Sequence, residues 1–166
     1  MNKIMTENWN SVVKDGDLVI HGGDFAEPRC KDPVPYLEKL NGRIVLIRGN
    51  HDKRVSCDHF MWTDRLQIKV GEFKCVVNHR PVYPPELKRE DLFHDHDNTL
   101  RDIGDFDFVI SGHVHEKYSW IGKSINIGVD VNQFKPMHID ELERKLKLRR
   151  DQGFQPGFVK FLKEGR

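Results

Sequence analysis

Two hydrophobic patterns alternate along the chain. Met5, Trp9, Val12 and Val13 recur at helical spacing, which predicts an amphipathic helix running to the turn at Lys14-Asp15-Gly16-Asp17, with Asn2 as its only N-cap candidate. Short apolar runs follow at Leu18 to Ile20, Arg43 to Ile47, Leu66 to Val70, Phe73 to Val77, Phe106 to Ile110, Tyr118 to Ile121 and Ser124 to Ile127. Runs of this length, bounded by Gly, Asn and Asp, read as strands. Gly71-Glu72 and Gly122-Lys123 each separate two such runs, which predicts two hairpins. Pro33 opens a second helix through Tyr36, Leu37 and Leu40, and Asn41-Gly42 ends it. A third helix spans Ile139 to Leu148, with Ile139, Leu142, Leu146 and Leu148 as its inward positions. Residues 80–98 are polar and carry Pro81, Pro84 and Pro85, so they read as a loop. No repeat or low-complexity tract is present, and residues 150–166 show no assignable period.

Composition narrows the class. A chain of 166 residues is one domain, here 1–150 with a tail at 151–166, and is long enough to bury a core. The formal charge of +1 argues against a strongly basic nucleic-acid binder, without excluding long nucleic acid. Arg144, Lys145, Lys147, Arg149 and Arg150 read as the solvated face of the last helix. The cysteines, Cys30, Cys57 and Cys75, are odd in number and lack CxxC spacing, as expected of reduced thiols in the cytoplasm. Cys75 lies in a strand pattern and reads as a small core residue. No stretch is long and apolar enough to span a membrane, and the N-terminus lacks a secretory pattern.

The chemistry sits where the apolar runs stop. Gly23-Asp24 follows the first run, Gly49-Asn50-His51-Asp52 the second, Asn78-His79 the fourth and Gly112-His113-Val114-His115 the fifth. Strands of an α/β sheet deliver sites at their carboxyl ends. Carboxylate, amide and imidazole donors without thiolate suit Mn, Fe, Zn or Ni. Singly, Asp24, Asn50 and Asp52 also read as turn residues, and His113 and His115 as polar loop residues. His94-Asp95-His96-Asp97 has a ligand-like composition but no rigid element to fix it, and reads as a solvated loop. His21 and His59 read as structural, and His138 as the start of the last helix.

In this order and at these strand ends, GD, GNHD, H and GHxH resemble the calcineurin-like metallophosphoesterase family, in its small bacterial and phage form. The resemblance runs from about Asn8 to Pro136 and includes the flanking text Asn8-Trp9-Asn10, Gly16 to His21 and Ile125 to Asp130. It implies an α/β (α+β) fold: a four-layer sandwich of two mixed sheets packed face to face and flanked by helices. It implies that Asp24 bridges two divalent ions, that Asn50, His79 and His113 complete one ion's ligands, and that His115 belongs to the other. Manganese is the expected ion, with Fe, Zn and Ni as alternatives, at one or two ions per chain. His51 is the expected general acid. Asp52 either orients His51 or caps a following helix. Arg80 either grips a phosphate as a fork donor or is a plain surface arginine.

One part of the family pattern has no counterpart. The family opens with a strand carrying Asp-x-His, whereas no Asp or His precedes Asp15 here. The expectation is a sandwich lacking its first strand, and a site with a weakened first ion. The lost strand would expose backbone groups on its neighbours, which a partner chain, the C-terminal tail or a separate N-terminal piece would cover. Self-association into a homo-oligomer is therefore expected as well. The functional expectation is hydrolysis of a phosphate mono- or diester, with a small phosphoester or nucleotide as substrate. The alternative is a weak or inactive remnant that binds a single metal.

Overall fold

The structure, a computed structural model, describes residues 2–26, 30, 32–52, 61–85 and 104–153. Helix α1 (Asn2–Val12) leads into β1 (Leu18–His21), and the short α2 (Val34–Leu37) into β2 (Arg43–Ile47). Then come β3 (Met61–Thr63), the hairpin β4 (Arg65–Val70) and β5 (Phe73–Asn78), β6 (Phe108–Ser111), the hairpin β7 (Trp120–Ile121) and β8 (Ser124–Asn126), and α3 (Ile139–Asp151). The expectations for His94 to Asp97, Cys57, His59, a helix after Asp52 and the tail from residue 154 lie outside the described residues.

The strands form two sheets, β1-β2-β3 and β4-β5-β6-β8-β7. The first is parallel throughout its described strands. The second is mixed: β5, β6 and β8 run parallel, and β4 and β7 are antiparallel edges. Side chains alternate across a strand, and β2 uses both faces. Ile44 and Leu46 meet Trp9 of α1, Leu37 of α2, and Phe25 and Leu40. Ile47, completely buried, joins Val77, Phe108, Ile110 and Ile125 of the second sheet and Leu142 and Leu146 of α3. The sheets thus share one core, with helices against them. Among the described residues, no helix is long and apolar enough to cross a membrane.

Helix α1 is locked to the start of β2 by side chains the sequence offers in one cluster. The Trp9 indole donates to the Asn41 carbonyl at 2.9 Å. Asn10 donates to the Lys39 carbonyl and accepts from the Asn41 N–H at 2.9 Å. The Asn41 amide returns a bond to the Val13 carbonyl at 3.1 Å. Gly42 then turns at φ +86°, where a Cβ would stand 2.7 Å from Val13 Cγ1 and 3.0 Å from the Asp17 carbonyl. Only glycine fits that approach.

Helix α2 and strand β7 are shorter than their sequence patterns, at Val34–Leu37 and Trp120–Ile121, and three further elements differ from theirs. Strand β3 is too short and exposed to carry a pattern, and it is held by β2 and by Arg48, whose guanidinium lies 4.6 Å from the Trp62 ring centroid and bonds Asp64. Strand β6 begins at Phe108 instead of Phe106, because Asp107 caps the turn, accepting from the Lys74 N–H at 2.8 Å. In α3 the inward stripe is Leu142, Leu146 and Arg149, while Ile139 and Leu148 are about half exposed. Leu148 lies about 100° around the helix from Arg149, off the stripe. The solvated-face reading therefore fails for Arg149, whose guanidinium is buried 5.5 Å from the Trp120 ring centroid and donates to the Gly122 carbonyl. It holds for the exposed Arg144, Lys147 and Arg150. Cys75 is a buried free thiol, as its strand pattern implies, and His138 caps α3 by accepting from the Asp140 N–H.

His21 closes β1 with its ring set against Trp9 and Phe25. Burial drives its pKa down to about 4, against the pull of the Asp52 and Asp24 carboxylates and aided by the charge of His79.

Two predictions follow from this frame. Gly42→Ala should lower unfolding stability by about 1–3 kcal/mol, and by more than Gly16→Ala, because Gly16 shares the positive φ but has open space for a Cβ. Urea midpoints of the two variants check this. His21 has a folded pKa below its unfolded value of 6.5, so the unfolded chain binds the extra proton. Its contribution to stability is full above about pH 6.5 and falls as the pH drops toward about 4. His21→Gln should flatten the loss of stability over that window when unfolding is measured pH by pH.

Candidate metal centre

Parallel pairing sets the site. Strands β1 and β2 run together, as do β5 and β6, so each pair ends on the same side. The segments after these four strands carry Asp24, Asn50 to Asp52, His79 and His113. Two of them adopt left-handed backbone, at three non-glycine residues: Asp24 at φ 55°, His113 at φ 70° and His115 at φ 48°. Such strain persists only where the surroundings enforce it, and it concentrates at functional sites. The glycines beside these residues allow the close approach. A side chain at Gly23 would strike the His79 ring and the Ile47 carbonyl, and one at Gly49 would strike the Asp24 carboxylate.

Asp52 ties the first two loops together. It is buried, and its Oδ2 accepts from the N–H of Asp24 at 2.7 Å and of Gly49 at 2.8 Å, while Oδ1 accepts from Phe25 at 2.9 Å. Both oxygens are thus engaged with backbone, a role neither sequence reading anticipated. Asp24 in turn accepts from the His51 N–H through Oδ1 at 2.8 Å. Burial pushes the Asp24 carboxyl up, but its bond to His79, the His51 N–H and the charge of both imidazoles outweigh this and hold it below the usual carboxylate range. Asp24 is therefore ionised and accepts only.

Proton accounting then defines the centre. The Gly22 carbonyl can only accept, so His79 Nδ1, 2.8 Å away, carries the ring proton. Its Nε2 is the ring nitrogen turned toward the other donors. That atom lies 3.1 Å from Asn50 Oδ1, 3.3 Å from Asp24 Oδ2 and 3.1 Å from His113 Nδ1. A carboxylate, an amide oxygen and two imidazole nitrogens thus converge on one point. Ligand atoms of Asp24, His79 and His113 all fall within 4.8 Å of one another. Donors at roughly 2.0–2.3 Å from a shared ion have about that spread. The donor set therefore fits a divalent cation.

The other expected residues fall around this centre. His51 is half exposed, with Nε2 3.9 Å from Asp24 Oδ2. Arg80 is half-buried, and its Nη1 lies 3.1 Å from His113 Nε2. His115 Nδ1 pairs with Asp130 Oδ2 at 3.3 Å, and with Glu116 the two form a second exposed group of possible ligands.

Sequence reasoning missed Asn126, which holds the His113–His115 loop in place. It is buried, donates to the carbonyls of His115 at 2.7 Å and Tyr118 at 2.8 Å, and accepts from the Gly128 N–H. A lone asparagine inside an apolar run was the available signal.

Comparison with known proteins gives this arrangement a lineage. The chain is 36% identical over 149 residues to the uncharacterized protein MJ1445 of Methanocaldococcus jannaschii, covering 84% of this chain and 72% of that protein. Its fold is similar to the crystal structure of AQ665, a protein of unknown function from Aquifex aeolicus, with a TM-score of 0.59 at 22% identity, covering 87% of this chain and 84% of that one. The calcineurin-like phosphoesterase superfamily domain matches residues 2–127, which take in every described strand and the converging donors. The chain belongs to the calcineurin-like phosphoesterase superfamily.

Proposed function

We propose that the protein is a metal-dependent phosphoesterase that hydrolyses a phosphate mono- or diester with a metal-activated water. The observation that carries this reading is the convergence of Asp24, Asn50, His79 and His113 from four strand ends. Family membership implies divalent metal. Manganese is the first choice for a set of one carboxylate, one amide oxygen and two imidazoles, with Fe, Zn and Ni sharing the preference. When bound, the ion lowers the pKa of a water and neutralises charge on the phosphoryl oxygens.

The chain's own residues do the rest. Asp24, kept ionised, supplies the negative ligand. The Gly22 carbonyl fixes the His79 tautomer, so Nε2 faces the centre. Asp52 welds the Asp24 and Gly49 loops, which keeps the ligands at a fixed separation. His51, half exposed on the rim, is placed to give a proton to the leaving oxygen. The near-neutral chain lacks a long basic field and favours a small phosphoester or nucleotide over long nucleic acid.

A second reading, a single-metal protein with weak hydrolytic activity, is favoured by one observation: His115 Nδ1 is engaged with Asp130 Oδ2 at 3.3 Å. Metal analysis after manganese loading separates the two. Two ions per chain support the dinuclear hydrolase, and one supports the weaker centre.

Two further outcomes test the assignment. Asp24→Asn and His113→Ala should each reduce manganese affinity by at least about tenfold, since the first removes a ligand's negative charge and the second a ligand. Unchanged occupancy in either would remove that residue from the centre. His51→Ala should lower turnover of an aryl phosphodiester by about 10²–10⁴-fold, the usual range for a general acid. Bound metal should stay the same, and a parallel loss of metal would make His51 a ligand instead.

A further inference from the structure

Trp62 is placed where packing does not account for it. Burying an indole is among the larger apolar gains open to a fold. Trp62 is nevertheless 54% exposed, more than any other Phe, Tyr or Trp among the described residues. It lies on β3, at the edge of the first sheet's described strands, and the Arg48 guanidinium sits 4.6 Å from its ring centroid. That guanidinium is held in place, because its Nε and Nη2 reach Asp64 Oδ1 at 2.8 and 2.6 Å. The Arg48 N–H donates to the Thr63 carbonyl at 2.9 Å, which ties the two strand ends together. Indole and guanidinium thus form a fixed stack of two planes, and both stay exposed.

The stack adjoins the candidate centre. Parallel pairing sets Trp62 beside Leu46, near the carboxyl end of β2. Arg48 precedes Asn50 by two residues, at most about 7 Å of chain. Between them stands Gly49, whose N–H is held by Asp52 and whose Cα abuts the Asp24 carboxylate. Strand alternation sends Met61 to the opposite face of β3, so the exposed surface at Trp62 is one ring wide. A protein partner covers a broad apolar patch, which this is not. A nucleobase fits better: its π face stacks on an indole or on a guanidinium plane, whatever its sequence identity.

We infer that the Trp62–Arg48 stack is a base-binding platform of the same site, so that the phosphoester is a nucleoside phosphate. This rests on the phosphoesterase reading above and narrows its substrate. The base lies on the stack, the ribose crosses the Gly49–His51 rim, and the phosphoryl group reaches the converging donors. Asp64 keeps Arg48 against the indole before any ligand arrives, which lowers the ordering cost of binding.

The test compares esters that share a reacting group and differ in the base. Manganese-loaded protein is given adenosine 5′-monophosphate and ribose 5-phosphate, and the methyl diester of each. For the pair that is hydrolysed, kcat/KM should favour the adenosine ester by about tenfold, the scale of one base–aromatic stack. Trp62→Ala should bring that ratio close to one, mainly through KM, and Trp62→Phe should keep most of it because a phenyl ring still stacks. A merely structural defect would slow both esters together and leave the ratio alone. Adenosine itself, which has no phosphate, reads the platform without the metal centre. It should quench indole emission saturably in wild type and not in Trp62→Ala, where Trp9 and Trp120 remain. A ratio near one in wild type, or a ratio or saturable quenching that survives in Trp62→Ala, overturns the platform and leaves the phosphoesterase standing. Arg48 and Trp62 would then only guard an exposed sheet edge. No hydrolysis of any of the four esters overturns the phosphoesterase reading, and the role of the stack in substrate choice with it.

Discussion

The buried carboxylate of Asp52 is the interaction on which the candidate centre depends. A carboxylate taken out of water is costly unless its lone pairs are met. Asp52 meets that requirement with backbone N–H groups from two separate loops, those of Asp24 and Phe25 after β1 and that of Gly49 after β2. Because those groups also need partners, each loop satisfies the other through one side chain. The consequence reaches Asp24 directly. Its N–H is held by Asp52 and its carboxylate by the His51 N–H, so the side chain is fixed at a positive φ that an unsupported aspartate would leave.

The sheets make this local arrangement possible. Parallel strands end on one side, and β1 with β2 and β5 with β6 supply that side twice. The two pairs are joined by the core around Ile47, Val77 and Ile110, and across the loops by the His79 bond to the Gly22 carbonyl. That bond selects which nitrogen of His79 faces the centre. A packing contact and a chemical choice are here the same interaction.

Much of this was legible in the residues because it is set by local pattern. Apolar runs of strand length, the Gly71-Glu72 and Gly122-Lys123 turns, and the succession GD, GNHD, H and GHxH are short-range features, and the described strands follow them closely. The less legible parts depend on neighbours distant in sequence. Met61 to Thr63 become a strand only because β2 offers an edge. Arg149 looks like part of a solvated charge run, yet its place on the Leu142–Leu146 stripe buries it against Trp120. Leu148 looks like core and is half exposed, because the stripe that meets the sheet passes it by. Asn126 looks like an ordinary strand residue and instead satisfies two carbonyls around the His113–His115 loop.

The sequence by itself determined the donor types, their order and their position at strand ends, and with them the superfamily, since these need only residue identity and hydrophobic period. Only the tertiary structure decided how those donors divide. Asp24, Asn50, His79 and His113 come together, while His115, two residues beyond His113, turns to Asp130. Spacing in sequence could not distinguish the two histidines, because both follow one strand and both adopt left-handed backbone. The pairing of His115 with Asp130, the backbone role of Asp52 and the contact of Arg80 with His113 join segments that are separate in the chain. Hydrogen bonds of fixed direction and limited number settle those contacts, and no local pattern encodes them.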